Sequence, residues 1–110
     1  MSKQGMGNFA ESEAAARGIA YDDIWLVAGR RTPFADYNTV LRDVSPTDLG
    51  IAAARALFEH SGIPATEVDA IVAGNMAQSS FDAYYLPRHI GLYAGVNPAV
   101  PALLVQRLCC

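Results

Sequence analysis

The sequence predicts an α/β fold whose elements run β-α-β-α-β, and three observations carry that reading. Short apolar runs end at glycine or at a polar turn, as strands buried in a parallel sheet do. A strong helix start lies between the first two runs. A proline and a glycine bracket a second helical stretch before the last run. Strand, helix and strand within about 50 residues make a βαβ unit, which implies parallel strands and a right-handed crossover.

Residues 1–21 hold few large apolar side chains and are expected to form a flexible tail, with at most a turn or two of helix through Ala14-Ala15-Ala16. The folded part is then 22–110, a partial domain. Its first strand is Ile24-Trp25-Leu26-Val27-Ala28, a continuous apolar run with aromatic and β-branched members, ended by Gly29. From Arg30 to Val44 the chain is polar, contains Pro33 and reads as a loop. Ser45-Pro46-Thr47-Asp48 then starts a helix: Ser45 caps, Pro46 suits the first helical position, and Asp48 sits where a capping box takes an acid. Leu49, Ala52, Ala53, Ala56 and Leu57 share a face, and the helix runs to about Ser61, with Gly62 closing it and Pro64 barring continuation.

The second strand is Val68-Asp69-Ala70-Ile71-Val72-Ala73, cut off by Gly74-Asn75, and Met76 to Asp82 reads as loop. Pro87 opens a second helix over Arg88 to Ala94, with Gly95 as its stop. After Pro98 and Pro101 comes the third strand, Ala102-Leu103-Leu104-Val105. No internal repeat or low-complexity tract interrupts this order.

Composition narrows the function classes. The 110 residues are enough for one domain, and with 52% hydrophobic and 17% charged residues the chain is richer in apolar groups than an average soluble domain. That excess implies surface covered by something outside this segment. Eight basic against eleven acidic side chains give a net charge of −3, so no basic stripe exists for a nucleic-acid backbone. No apolar run approaches the roughly 18 residues of a membrane span. The start Met1-Ser2-Lys3-Gln4-Gly5 lacks a secretory stretch, Glu11 and Glu13 argue against a transit peptide, and the expected compartment is the cytoplasm. The only cysteines, Cys109 and Cys110, make neither a disulfide framework nor metal-ligand spacing, so no metal is expected.

Those cysteines follow the third strand in Val105-Gln106-Arg107-Leu108-Cys109-Cys110. In open α/β sheets reactive groups collect at the carboxyl ends of parallel strands, where helix N-termini point at the ligand. A cysteine nucleophile must be a thiolate, and its free pKa near ~8.5 leaves little anion at neutral pH without a basic partner or helix N-terminus. Taken as a complete chain, the sequence would supply neither past position 110 and would set a terminal carboxylate nearby, which disfavours the thiolate. The sequence therefore reads as the first part of an enzyme, inactive alone.

From Asp23 to Cys109 the chain resembles the opening of a thiolase, the family that makes or cleaves 3-ketoacyl thioesters of coenzyme A. Arg31-Thr32-Pro33-Phe34 follows the first strand, Asp48-Leu49-Gly50 opens the helix, and Val68-Asp69 and Gly74-Asn75 bracket the second strand. Arg88 matches the arginine that starts the next helix, and Val105-Gln106-Arg107-Leu108-Cys109 resembles the segment that ends on the nucleophile. Their common order makes the resemblance specific. Departures are Ala35 after Phe34, Gln106 for an asparagine, the Phe81, Tyr84 and Tyr85 loop, and Cys110 where a small residue is usual.

The resemblance implies a layered αβαβα fold when complete and a Claisen-type acyl transfer through an acyl-enzyme on Cys109. It implies acyl-CoA and CoA as substrates with no permanently bound cofactor, a homodimer or homotetramer, and histidines and a second cysteine from the family's later portion. The alternative is a non-catalytic thiolase-like module that binds acyl-CoA or a partner.

Each residue singled out also has a plainer use. Cys109 could be a buried structural thiol. Arg31 and Arg88 are expected to act structurally rather than on CoA phosphates. Tyr84, Tyr85 and Tyr93 suit packing or a subunit contact. His60, in the last helical turn, complements the dipole, and neither His60 nor His89 matches a catalytic histidine motif of the family.

Overall fold

The computed structural model describes residues 21–77 and 80–107. Helix α1 (Pro46–Ser61) forms where its caps dictate: the Ser45 hydroxyl oxygen accepts from the Asp48 amide at 3.1 Å, and Gly62, at φ 70°, donates its N–H to the Phe58 carbonyl. Asp48, Ala52, Arg55 and Glu59 make its exposed stripe, while Leu49, Ala53, Ala56 and Leu57 are half-buried. Ala52 departs from the inward face that its spacing predicts. It lies outside because that face centres on Gly50, two positions and about 200° away at 100° per residue.

Strands β1 (Ile71–Gly74) and β2 (Ala102–Val105) pair in parallel, Ile71 opposite Ala102 and Gly74 opposite Val105. Between them runs α2 (Leu86–Tyr93), preceded by a 3₁₀ turn at Ala83–Tyr85 that no sequence signal predicts. Gly95, at φ 93°, ends α2, and the Val96 amide reaches back to the Gly91 carbonyl at 2.9 Å. The unit is thus strand, helix, parallel strand, and the α/β class stands.

Two strand expectations need correction. Val68–Ala70 do not join the second strand, because Pro64 and a 3₁₀ turn at Ala65–Glu67 carry the chain there. The ladder opens only where the Ile71 N–H meets the Pro101 carbonyl, and its partner strand begins just after that proline, which has no N–H to donate. The run Ile24–Ala28 carries no strand pairing among the described residues, and Trp25 is 83% exposed with Leu26 fully so. A run apolar on both faces is stable as a strand only with neighbours on both edges and layers on both faces, and the described residues set none against it. The expected tail falls outside the described residues except for Tyr21.

Glycine sets the packing of the layers. A Cβ on Gly50 would fall on Ile90 Cδ1, and one on Gly91 would fall on Ile71 Cδ1. So Ile90 of α2 seats against α1, and Ile71 of β1 against α2, in space that these two glycines leave free. The small core follows α2: Ala83 and Leu86 at its start, Val96 past its end, with Thr47 of α1 buried beside them. The other face of the sheet is bare, and the cross-strand pair Val72 and Leu103 is 68% and 58% exposed.

Candidate active site

Parallel pairing brings two loops to one end of the sheet. The last rung is the Asn75 N–H donating to the Val105 carbonyl at 3.0 Å, so the Gly74-Asn75 turn and the Gln106-Arg107 segment leave side by side. A cavity of about 230 Å³ opens there, lined by Gly74, Asn75, Met76, Val105 and Arg107. The Asn75 Nδ2 atom is buried and meets no acceptor among the described residues. Cys109, the expected nucleophile, lies outside the described residues with Leu108 and Cys110; in the chain it comes two residues after Arg107.

The opposite end of the sheet is held by the approach to β2. The half-buried Arg88 guanidinium of α2 donates from Nη1 to the Val100 carbonyl at 3.0 Å and from Nη2 to the Pro98 carbonyl. These charge-assisted bonds tie the loop before β2 to the helix, and with it the start of the β1 and β2 register. Asn97 adds an Asx turn, its Oδ1 accepting from the Ala99 amide at 2.9 Å. Arg31 stacks over the Phe34 ring at 4.6 Å and donates to the Thr32 carbonyl, so the Arg31-Thr32-Pro33-Phe34 motif is a local cluster in this structure.

A second concavity, about 380 Å³, lies at the start of α1, lined by residues that include Thr47, Asp48, Arg55, Asp82 and His89. Asp82 is its hub. Its carboxylate accepts from the Ser80 hydroxyl and from the Ser45 hydroxyl at 3.1 Å, and its backbone carbonyl lies 3.5 Å from the Thr47 hydroxyl. The Ser80 bond, assisted by Ser45 and opposed by partial desolvation, holds the Asp82 carboxyl below its ordinary value. Arg55 is committed to the Tyr93 carbonyl at 2.9 Å, and His89 sits between the Tyr85 and Tyr93 rings at 6.4 and 6.3 Å. This arrangement ties elements together, the Asp82 carboxylate joining the start of α1 to the loop before α2. His60 is exposed at the end of α1, and neither histidine lines the cavity at the strand ends.

Asp82 and Asn75 are the two residues here that sequence reasoning misses as contributors to a site. Asp82 binds a hydroxyl 37 positions away, a separation that no local motif signals. Asn75 carries only a turn signal in the sequence. No helix among the described residues is long and apolar enough to cross a membrane.

Comparison with known proteins gives this architecture its relatives. Residues 24–110 match the family described as Thiolase, N-terminal domain. The chain is 44% identical over 86 residues to the mitochondrial 3-ketoacyl-CoA thiolase of Bos taurus, and 45% identical over 86 residues to that of Mus musculus. Each match covers 78% of this chain and 22% of the relative. The crystal structure of human mitochondrial 3-ketoacyl-CoA thiolase, also solved in complex with CoA, superposes with a TM-score of 0.71 at 42% identity, over 73% of this chain and 20% of that one. The chain thus spans about a fifth of the length of the proteins it matches.

The cytoplasmic expectation is overturned by these findings. The bovine, mouse and human relatives are all named mitochondrial, which points to the mitochondrion. Two acids in a short N-terminal segment are too little to set a compartment. The thiolase resemblance read from the ordered motifs is upheld, and the chain belongs to the thiolase family, carrying residues of its N-terminal domain.

Proposed function

We propose that this chain is the cysteine-bearing part of a thiolase-type acyl-CoA acyltransferase, with Cys109 as the nucleophile. The observation that carries this reading is the family match, which runs through the parallel β1 and β2 pair to the cysteine that follows β2. The Cys109 thiolate attacks the thioester carbonyl of an acyl-CoA, the carbon–sulfur bond to CoA breaks, and the departing CoA thiolate takes up a proton. A base then removes the α-proton of a second acyl-CoA. Its carbanion attacks the acyl-cysteine carbonyl, a carbon–carbon bond forms, and the Cys109 thiolate leaves. Run backwards, the same steps cleave a 3-ketoacyl-CoA. Splitting the transfer through an acyl-enzyme replaces one difficult step by two easier ones.

The base and the donors that stabilise the thioester oxygens come, on the family resemblance, from polypeptide beyond the fifth of a thiolase that this chain matches. Support for CoA as the carrier comes from the similar human thiolase solved in complex with CoA. The bare sheet face of Val72 and Leu103 suits a domain that is covered by further layers and assembles as a dimer or tetramer.

The test uses the protein as its source makes it. Incubation with acetyl-CoA should yield an acyl adduct that peptide mass spectrometry assigns to Cys109, and Cys109→Ala should lose both adduct and transfer. Transfer that persists in Cys109→Ala overturns the reading.

A further inference from the structure

We propose that the exposed stripe of α1 is a contact surface for a second copy of this chain, two α1 helices running antiparallel about a two-fold axis so that Asp48 of each faces the partner's Arg55. The inference goes beyond the proposed function and stands whether or not Cys109 is the nucleophile. It starts from spacing. Asp48, Ala52 and Arg55 are all exposed on α1. Asp48 and Arg55 stand seven positions apart, which is about 10 Å of rise with a rotation within about 20° of the same direction. The stripe therefore carries an acid at one end, a base at the other and a methyl group near its midpoint. Neither charge is answered among the described residues. The ion pair found there joins Arg42 to Asp43, and Arg55, although Glu59 lies one turn on, donates from Nε to the Tyr93 carbonyl at 2.9 Å. That bond ties the guanidinium to α2 and leaves its Nη atoms without a partner among the described residues.

Of the two directions in which such stripes can meet in register, one answers both charges. Laid parallel, Asp48 meets Asp48 and Arg55 meets Arg55. Turned antiparallel about a point between Ile51 and Ala52, each acid meets a base and the helix dipoles oppose. Ala52 then sits next to the axis, where its small side chain lets the helices close to the about 8–10 Å of packed pairs. Beside the stripe the surface is hollow. The concavity of about 380 Å³ between α1 and α2 is lined by Ile51, Phe81 and Tyr93 as well as by both charges, and Phe81 and Tyr93 are 93% and 61% exposed. Side chains of the partner helix can enter it, and aromatic residues with arginine are what interfaces are enriched in. Exposed ion pairs add little affinity, so burial in the hollow holds the copies while the charges set direction and register. One helix face buries less than the roughly 1,200 Å² of a stable interface, so the contact is weak and is best detected by trapping it.

The experiment uses the protein as its source makes it. Ala52→Cys places two thiols next to the axis, within disulfide reach, and diamide should join them between copies, seen by mass spectrometry as a peptide pair containing position 52 from each. Glu59→Cys sets its thiols about 22 Å apart along the paired helices and should not link. In the Ala52→Cys protein, adding Asp48→Arg or Arg55→Asp opposes like charges on both sides of the axis and should slow linking about tenfold, while the two together should restore it to within about twofold. Salt carries the test if the charge variants fail to fold: about 0.5 M sodium chloride should slow linking of Ala52→Cys several-fold without changing the reaction of that thiol with iodoacetamide. The inference is overturned if position 52 does not link, if position 59 links as fast, if the double charge swap is no faster than either single one, or, where only salt can be read, if salt leaves linking unchanged.

Discussion

Residues 46–107 and residues 21–44 are equally well supplied with apolar side chains, yet only the first stretch folds them inward. In the first, each element has a partner: α1 lies on α2, α2 on both strands, and β1 on β2. In the second, Trp25, Phe34 and Tyr37 stand in solvent, and the contacts are local: Arg31 lies over the Phe34 ring, and in the turn from Asp36 to Asp43 the Thr39 hydroxyl donates to the Asp36 carbonyl and Arg42 pairs with Asp43. An exposed pair of that kind contributes little to stability. The difference teaches that an apolar run states a need for burial without providing for it. Side chains seated against glycine provide for it here, Ile90 over Gly50 and Ile71 over Gly91.

The largest effect should come from filling one of these glycine sites. In Gly91→Val the new side chain meets Ile71 and Val96 where α2 crosses the sheet. Overpacking of a tight contact costs typically about 1–3 kcal/mol, and the β-branched residue gains less from helix propensity than alanine would, so a loss of about 2 kcal/mol is expected. Gly29→Val, in the open stretch with nothing within 4 Å, should change stability by less than about 0.5 kcal/mol. Urea midpoints of the two variants measure the contrast directly. Equal losses would mean that the two regions are packed alike.

A smaller effect lies at the tie between α1 and the loop before α2. Ser45→Ala removes both the cap on the Asp48 amide and the bond to Asp82, and a cap alone is worth about 1 kcal/mol. The Asp82 side of the tie has a pH signature. Because the hydroxyls of Ser80 and Ser45 hold its carboxyl below the ordinary value of 3.8, the contribution is fully present above about pH 5 and is lost as pH falls through 3.8 and below. The parent should therefore be more stable than Asp82→Asn near neutral pH, and the gap should close as the solution is taken below pH 3.8. A gap that stays constant with pH would show that the carboxylate charge does not hold the tie.

The same contrast explains what could be read from the sequence. Helix α1 was legible to the residue at both ends because Ser45, Pro46 and Gly62 act through bonds three or four positions away. The last strand, Ala102–Val105, was legible too, but the start of β1 was not, since β1 starts where the Pro101 carbonyl receives it, 30 positions on in the chain. Gly50 and Gly91 have a role visible only once Ile90 and Ile71 stand opposite them, although Gly50 belongs to the Asp-Leu-Gly motif that helped identify the family. Of the candidate site, Cys109 is proposed from the order of motifs around it and lies outside the described residues, whereas the orphaned donor on Asn75 depends on a strand pairing that no local pattern reveals.

The smallest expected effect is the sharpest check on the open region. Trp25 is the largest side chain in the chain, and burying an aromatic of that size fully would make its truncation cost about 3–5 kcal/mol. At 83% exposed it has little contact to lose, so Trp25→Ser in this chain should leave the urea midpoint within about 0.5 kcal/mol of the parent. Tryptophan fluorescence of the parent supplies an independent reading, because Trp25 is the only tryptophan: emission typical of water is expected in the folded state, and unfolding should barely move it. A blue-shifted emission together with a large loss in the variant would mean that Ile24–Ala28 packs as a strand in solution, against an edge or face of the sheet that this structure leaves open. The boundary between the two regions would then move from residue 45 to residue 24, and the apolar run would have found within this chain the partner that its composition calls for.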